Sequence, residues 1–228
     1  VGFDDAGVLC GLDLTLMSNC GFSADLSGPV NDRAVFHCDN AYFLKDVRIT
    51  SYRLKTNTQS HTAFRGFGGP QGMILIETIM GEIARRLGRD PLEVRIRNLY
   101  DAPEAETGVR SKFRRAASSK ANNGHRNFDL TPLSAPTGAR NTTHYQMQVE
   151  DNILHELLPK LEQSAQYQRR REAISSWHQS NPILKRGIAI TPVKFGISFT
   201  ATLFNQAGAL VNVFTDGSVQ VNHGGTEM

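Results

Sequence analysis

Apolar and polar residues alternate at Leu12, Leu14 and Leu16, behind the turn signal Asp5-Ala6-Gly7, and predict a strand with one buried face. A loop rich in Gly, Ser and Asp is expected from Ser18 to about Asp32; Ala34 to Asn40 is short and fits helix or strand. Arg48 to Lys55 alternates again and reads as a strand. The period then changes. Met73, Ile76, Ile79, Met80, Ile83 and Leu87 recur at helical spacing, with Pro70 suited to the first turn and Gly88 just past the end. Asp90-Pro91 restarts a helix to about Leu99, with Asp90 as N-cap and Glu93 placed for a capping box; its alternating charges read as a solvated face. Glu150 to Gln163 and Tyr167 to Trp177 form a helical pair. Lys185 to Thr200 is β-rich, and Val211 to Phe214, Asp216-Gly217 and Val219 to Val221 give a hairpin signal. The expected class is α+β, with helices packed on mixed or largely antiparallel strands.

One stretch breaks the pattern. Between Val109 and Ala139, Arg110, Lys112, Arg114, Arg115, Lys120 and Arg126 face the single acid Asp129 amid Ser, Ala, Asn and Pro. Such a segment buries too little apolar surface to offset its ordering entropy, so 109–139 reads as a basic, disordered surface insert. Removing those six cations and one acid turns the net charge of +3 into about −2. The positive charge is therefore local, and a nucleic-acid partner is not indicated beyond that loop. Thr107-Gly108-Val109-Arg110 and Thr137-Gly138-Ala139-Arg140 bracket the insert like a duplicated boundary.

At 228 residues the chain is long enough to bury a real core, and no apolar run reaches membrane-spanning length. Its first residues lack both Met and the pattern of a signal peptide. Cys10, Cys20 and Cys38 are odd in number and show no CxxC spacing, which points to buried free thiols in a reducing, cytoplasmic compartment. His37 and His223 read as hydrogen-bonded structural histidines.

Four glycines fall within Gly66-Phe67-Gly68-Gly69-Pro70-Gln71-Gly72, leaving Arg65 and Phe67 as the side chains with chemical reach. A glycine loop entering a helix N-terminus favours an anion, or else makes a tight structural turn. The P-loop pattern fails for want of Gly-Lys-Ser/Thr, and the dinucleotide fingerprint fails at Gln71.

With Thr56-Asn57-Thr58 before it, the Ala63 to Gln71 block resembles the molybdenum-cofactor subunit of xanthine dehydrogenases, within the wider aldehyde oxidase family. Asp32-Arg33-Ala34 with His37 to Tyr42, Lys194 to Thr200, and Thr215 to Ser218 through His223 to Met228 resemble the same family in the same order. The resemblance implies a division into a first molybdenum-binding region, 1–108, holding the glycine loop 61–73; the insert 109–139; and 140–228, the helical pair and the β-rich start of a second molybdenum-binding region. It implies an internal part of a larger molybdopterin-binding subunit that oxidises xanthine or hypoxanthine to urate with water as the oxygen source. Phe67 and Phe199 would sandwich the purine, Thr200 would hydrogen-bond it, and Arg33 would hold a substrate oxygen and stabilise charge growing on the ring. Arg65 would lie near the molybdenum without ligating it, and Met228 close to the pterin. The family's general-base glutamate lies outside this sequence, so no catalytic residue is assigned and the isolated chain is expected to be inactive. Iron–sulfur clusters of the 2Fe-2S type and FAD are expected on other domains or subunits, in a dimer or hetero-oligomer. Two alternatives stay open: an aldehyde or other N-heterocycle as substrate, and a non-catalytic remnant serving as an interaction fragment.

Overall fold

The computed structural model describes residues 1–102, 140–197, 203 and 205–225. The expected insert, Phe199, Thr200 and Met228 lie outside the described residues.

Strand β1 (Gly2–Phe3) pairs antiparallel with β2 (Leu9–Gly21), and β2 pairs in parallel with β3 (Val47–Lys55). Asp4 makes the first turn: its Oδ1 accepts from the N–H of Ala6 and Val8, and Gly7 takes φ 83°. The alternation in β2 buries Leu12 and Leu14 and half-buries Leu16, as the period predicts, while Leu9 is buried off that period; the strand runs on through Ser18 to Gly21. The expected loop thus shrinks to a few residues, because α1 (Ser27–Phe36) begins before Asp32 and carries the chain across to β3. A parallel pair needs such a crossover, and a helix supplies it.

Helix α2 (Gly69–Leu87) buries Ile76, Met80 and Ile83 and ends at Gly88 with φ 63°. It packs on α1 at a distance only glycine permits. A Cβ on Gly68 would meet the Val30 carbonyl oxygen at 1.9 Å, and one on Gly72 would meet that of Ala34 at 2.4 Å. Two of the four glycines at this turn are therefore explained by contact with α1, before any ligand is considered.

Asp90 caps α3 (Pro91–Asn98) by accepting from the Leu92 N–H at 2.8 Å. The capping box does not close, since Glu93 Oε1 is taken by Arg89 and Arg97. Nor is α3 wholly solvated on its charged side. Arg95 is buried and its Nε donates to Glu77 Oε2 at 2.7 Å, while Tyr42 and Asn40 donate to Glu77 Oε1.

Helices α4 (Leu154–Ser164) and α5 (Tyr167–Ser180) form the expected pair, α4 starting later than predicted with Ile153 left exposed. They return to the first half of the chain: Leu158 and Tyr167 join one apolar cluster with Leu12, Met80 and Leu92, and the Tyr167 hydroxyl donates to Asp90. Strands β4 (Ala209–Val213) and β5 (Val219–His223) make the predicted hairpin, with Asp216 Oδ1 accepting from Ser218 in its turn. The class is α+β, as expected.

The β-rich reading of Lys185 to Thr200 is corrected over its described part. Residues 185–197 form no strand. Several of their backbone groups pair instead with side chains: Arg33, His37 and Asn40 at and just past the end of α1, and His178 of α5.

Candidate functional site

Arg33 in the last turn of α1 and His37, its C-cap, lie four residues apart, so both side chains leave the same side of the helix end. His37 Nδ1 donates to the Arg33 carbonyl at 3.0 Å, and its Nε2 accepts the Gly196 N–H at 3.0 Å. The Arg33 guanidinium donates to the Gly196 carbonyl and lies 4.9 Å from the centroid of the Phe195 ring, within cation–π reach. One residue of the incoming segment is thus held at both its N–H and its C=O.

Beyond α1, Asn40 adopts φ 45°, and its side chain extends the grip. Its Nδ2 donates to the Pro192 carbonyl at 2.8 Å and its Oδ1 accepts the Lys194 N–H at 3.1 Å. Lys194 Nζ then reaches Asp39 Oδ2 at 2.5 Å, and the Tyr100 hydroxyl donates to the same oxygen at 2.6 Å. His144 donates through Nε2 to the Val35 carbonyl, leaving Nδ1 3.8 Å from that carboxylate, beyond hydrogen-bond length. Among the described residues, Asp39 Oδ1 and His144 Nδ1 have no hydrogen-bond partner.

The electrostatics follow from burial. Arg33, 1% exposed, has its pKa lowered because desolvation disfavours the charged form. His37 is pushed below the ordinary histidine range by burial, aided by the charges of Arg33 and Lys194 and opposed by the Arg33 carbonyl and Asp39. For Asp39 burial pushes up, yet the neighbouring His144 and Lys194 outweigh it and hold the carboxyl below the usual range.

The glycine loop meets this assembly at the start of α2. A Cβ on Gly69 would strike the Phe195 ring at 2.4 Å. Gly66 (φ 88°), Phe67 (φ 49°) and Gly68 (φ 97°) are three successive left-handed residues. A phenylalanine in that conformation is uncommon, and such outliers cluster at binding sites. Phe67 is half-buried and Arg65 is exposed on the loop surface.

Of the expected site residues, the fold therefore brings Arg33 and the 61–73 loop together around Phe195, while Phe199, Thr200 and Met228 lie outside the described residues. Phe195, Asp39, Asn40 and Lys194 stand in the same sequence blocks, and nothing in their residue types alone signals the contacts they make. His37 and His223 are hydrogen-bonded, as anticipated, the latter accepting the Gly225 N–H. Among the described residues no cluster of three His, Cys, Asp or Glu side chains suits a bare metal ion. A left-handed loop that enters a helix N-terminus beside Arg65 suits an anionic group. Also among the described residues, no helix is long and apolar enough to cross a membrane.

Two sequence profiles, both described as a molybdopterin cofactor-binding domain, match residues 1–99 and 160–228. The xanthine dehydrogenase/oxidase of Gallus gallus and the xanthine dehydrogenase of Dictyostelium discoideum are 40% and 39% identical over 228 residues. A nicotinate hydroxylase of Emericella nidulans is 39% identical over 229 residues. Each alignment covers 100% of this chain and 14% of the relative, so the chain spans about one seventh of their length. The crystal structure of the aldehyde oxidoreductase from Desulfovibrio desulfuricans superposes with a TM-score of 0.59 at 20% identity, over 96% of this chain and 19% of that one, and shares the fold. By both profiles and by these relatives, the chain belongs to the molybdopterin cofactor-binding xanthine dehydrogenase/aldehyde oxidase family.

Proposed function

We propose that this chain is part of a molybdenum hydroxylase that oxidises xanthine or hypoxanthine to urate, and that it forms one wall of the purine pocket. The carrying observation is the meeting of Arg33, Phe195 and Gly69. Residues from three separate blocks close on one ring, with Arg33 and Gly196 163 positions apart. When bound, the molybdenum cofactor supplies oxidative hydroxylation with water as the oxygen source. Arg65 and Met228 would hold it, Arg65 near the metal without ligating it. Arg33, Phe67, Phe199 and Thr200 would bind the purine. Arg33 carries a planar fork of five donors, so it can serve a substrate oxygen as well as a backbone carbonyl. Its buried setting strengthens any stabilisation of charge that develops on the ring. Iron–sulfur and FAD groups would sit on other parts of the protein and carry the electrons away.

A second reading, another N-heterocycle or an aldehyde as substrate, is favoured by the similarity to a nicotinate hydroxylase. Kinetics of the full-length protein carrying this sequence separate the two. Arg33→Met should lower kcat/KM for hypoxanthine roughly a hundredfold, the scale of one lost charge-stabilising donor, while sparing an aromatic aldehyde. Equal losses on both substrates, or none on the purine, would exclude the purine reading.

A further inference from the structure

The hydrogen bonds at the end of α1 close into a ring. The Arg33 carbonyl accepts from His37 Nδ1, His37 Nε2 accepts from the Gly196 N–H, and the Gly196 carbonyl accepts from the Arg33 guanidinium. A backbone N–H only donates, so the ring requires a bare Nε2 with the proton on Nδ1, an assignment made from the partners. A second proton on the imidazole would set two donors face to face, 3.0 Å apart.

The surroundings make that proton the controlling variable. On its own element His37 faces the cation Arg33, with Asp39 in the turn that follows. The docked segment brings the cation Lys194, and the stretch from 140 brings His144, which contacts Asp39. On α2, Gly72 lies against the His37 backbone and brings no charge. The Phe195 ring centroid lies 5.0 Å from that of His37 and 4.9 Å from the Arg33 guanidinium, so the peptide that His37 holds also sets the stacking partner of Arg33.

We propose that His37 is a protonation-controlled positioning residue: neutral, it locks Gly196 and Phe195 against Arg33; protonated, it releases them. The consequence for turnover rests on the pocket reading above, whereas the lock itself does not. Burial and the neighbouring cations lower the affinity of His37 for the proton. The lock is therefore complete above about pH 6.5, the ordinary histidine value, and is lost as the pH falls below it.

The test is ¹⁵N NMR of the full chain, labelled at glycine and histidine, without substrate or cofactor, on the wild type and His37→Gln. In the wild type the Gly196 amide shift should follow the His37 ring titration, with a midpoint below about pH 6.5. Its solvent exchange, corrected for intrinsic pH dependence, should accelerate at least about fivefold across that titration, the worth of one net hydrogen bond. His37→Gln offers a side-chain oxygen that does not titrate, so protection should persist with no step. His37→Leu should expose the amide at every pH. A Gly196 amide indifferent to the His37 titration, or the same pH step in the glutamine variant, overturns the proposal. In the full-length protein, a kcat/KM that falls with the same midpoint in the wild type and not in His37→Gln extends the lock to turnover. If no hydroxylase activity is found while Gly196 still follows His37, the pocket reading fails and the lock stands.

Discussion

Lys194 and Asp39, 155 residues apart in the chain, form an ion pair at 2.5 Å whose carboxylate is entirely buried. Removing one partner of such a pair leaves an uncompensated charge in the interior. Lys194→Met should therefore cost about 3–5 kcal/mol in urea denaturation, and Lys194→Met with Asp39→Asn should recover part of that loss. A single-variant cost under about 1 kcal/mol would show the pair to be dispensable.

The same carboxylate predicts an acid limb. Its pKa is lower in the folded chain than in the unfolded one, because His144 and Lys194 outweigh the effect of burial. Its contribution is thus present above about pH 4 and is lost as the pH falls through the folded value. Lys194→Met should move that loss to higher pH in an acid titration followed by circular dichroism.

Glycine substitutions should separate contact from flexibility. Gly68→Ala meets the Val30 carbonyl at 1.9 Å in a left-handed backbone, and Gly72→Ala meets that of Ala34 at 2.4 Å. Each should cost at least about 1–3 kcal/mol or block folding. Gly81→Ala meets nothing within 4 Å inside α2 and should stabilise by about 0.5–1 kcal/mol. Thermal melts that rank Gly81→Ala with the other two would refute the helix-contact account.

Asp90 ties α3 to α5, since one oxygen accepts from the Leu92 N–H, the Tyr167 hydroxyl and Arg171. Asp90→Ala should cost about 1–2 kcal/mol, at the upper end for a lost N-cap. Tyr167→Phe, which keeps the cap, should cost less, and chemical denaturation compares the two directly.

The thiols should differ in reactivity. The sequence suggests that all three cysteines are buried, but Cys10 on β2 is exposed while Cys20 and Cys38 are not. Burial, with Asp39 beside it, pushes the Cys38 thiol far up. A maleimide should modify one thiol in the native chain and three after denaturation. Native labelling of Cys38 would contradict the packing around it.

Local features were legible in the residues. The period of Leu12 and Leu14, the Pro70 to Gly88 helix, the Asp90 cap and the Asp216-Gly217 turn each depend on neighbours a few positions away. Residue types state such preferences directly. What lay out of reach was every decision that joins distant segments. Lys185 to Thr200 has the composition of a strand, yet its described part finds hydrogen-bond partners in the side chains of Arg33, His37, Asn40 and His178. Arg95 sits among alternating charges that suggest a wet face, until Glu77 on another helix makes its burial tolerable. Periodicity reports which face of an element seeks the interior; only the tertiary structure decides which buried partner waits there, because a charge or an unpaired peptide can leave water only where a complementary group has already been placed.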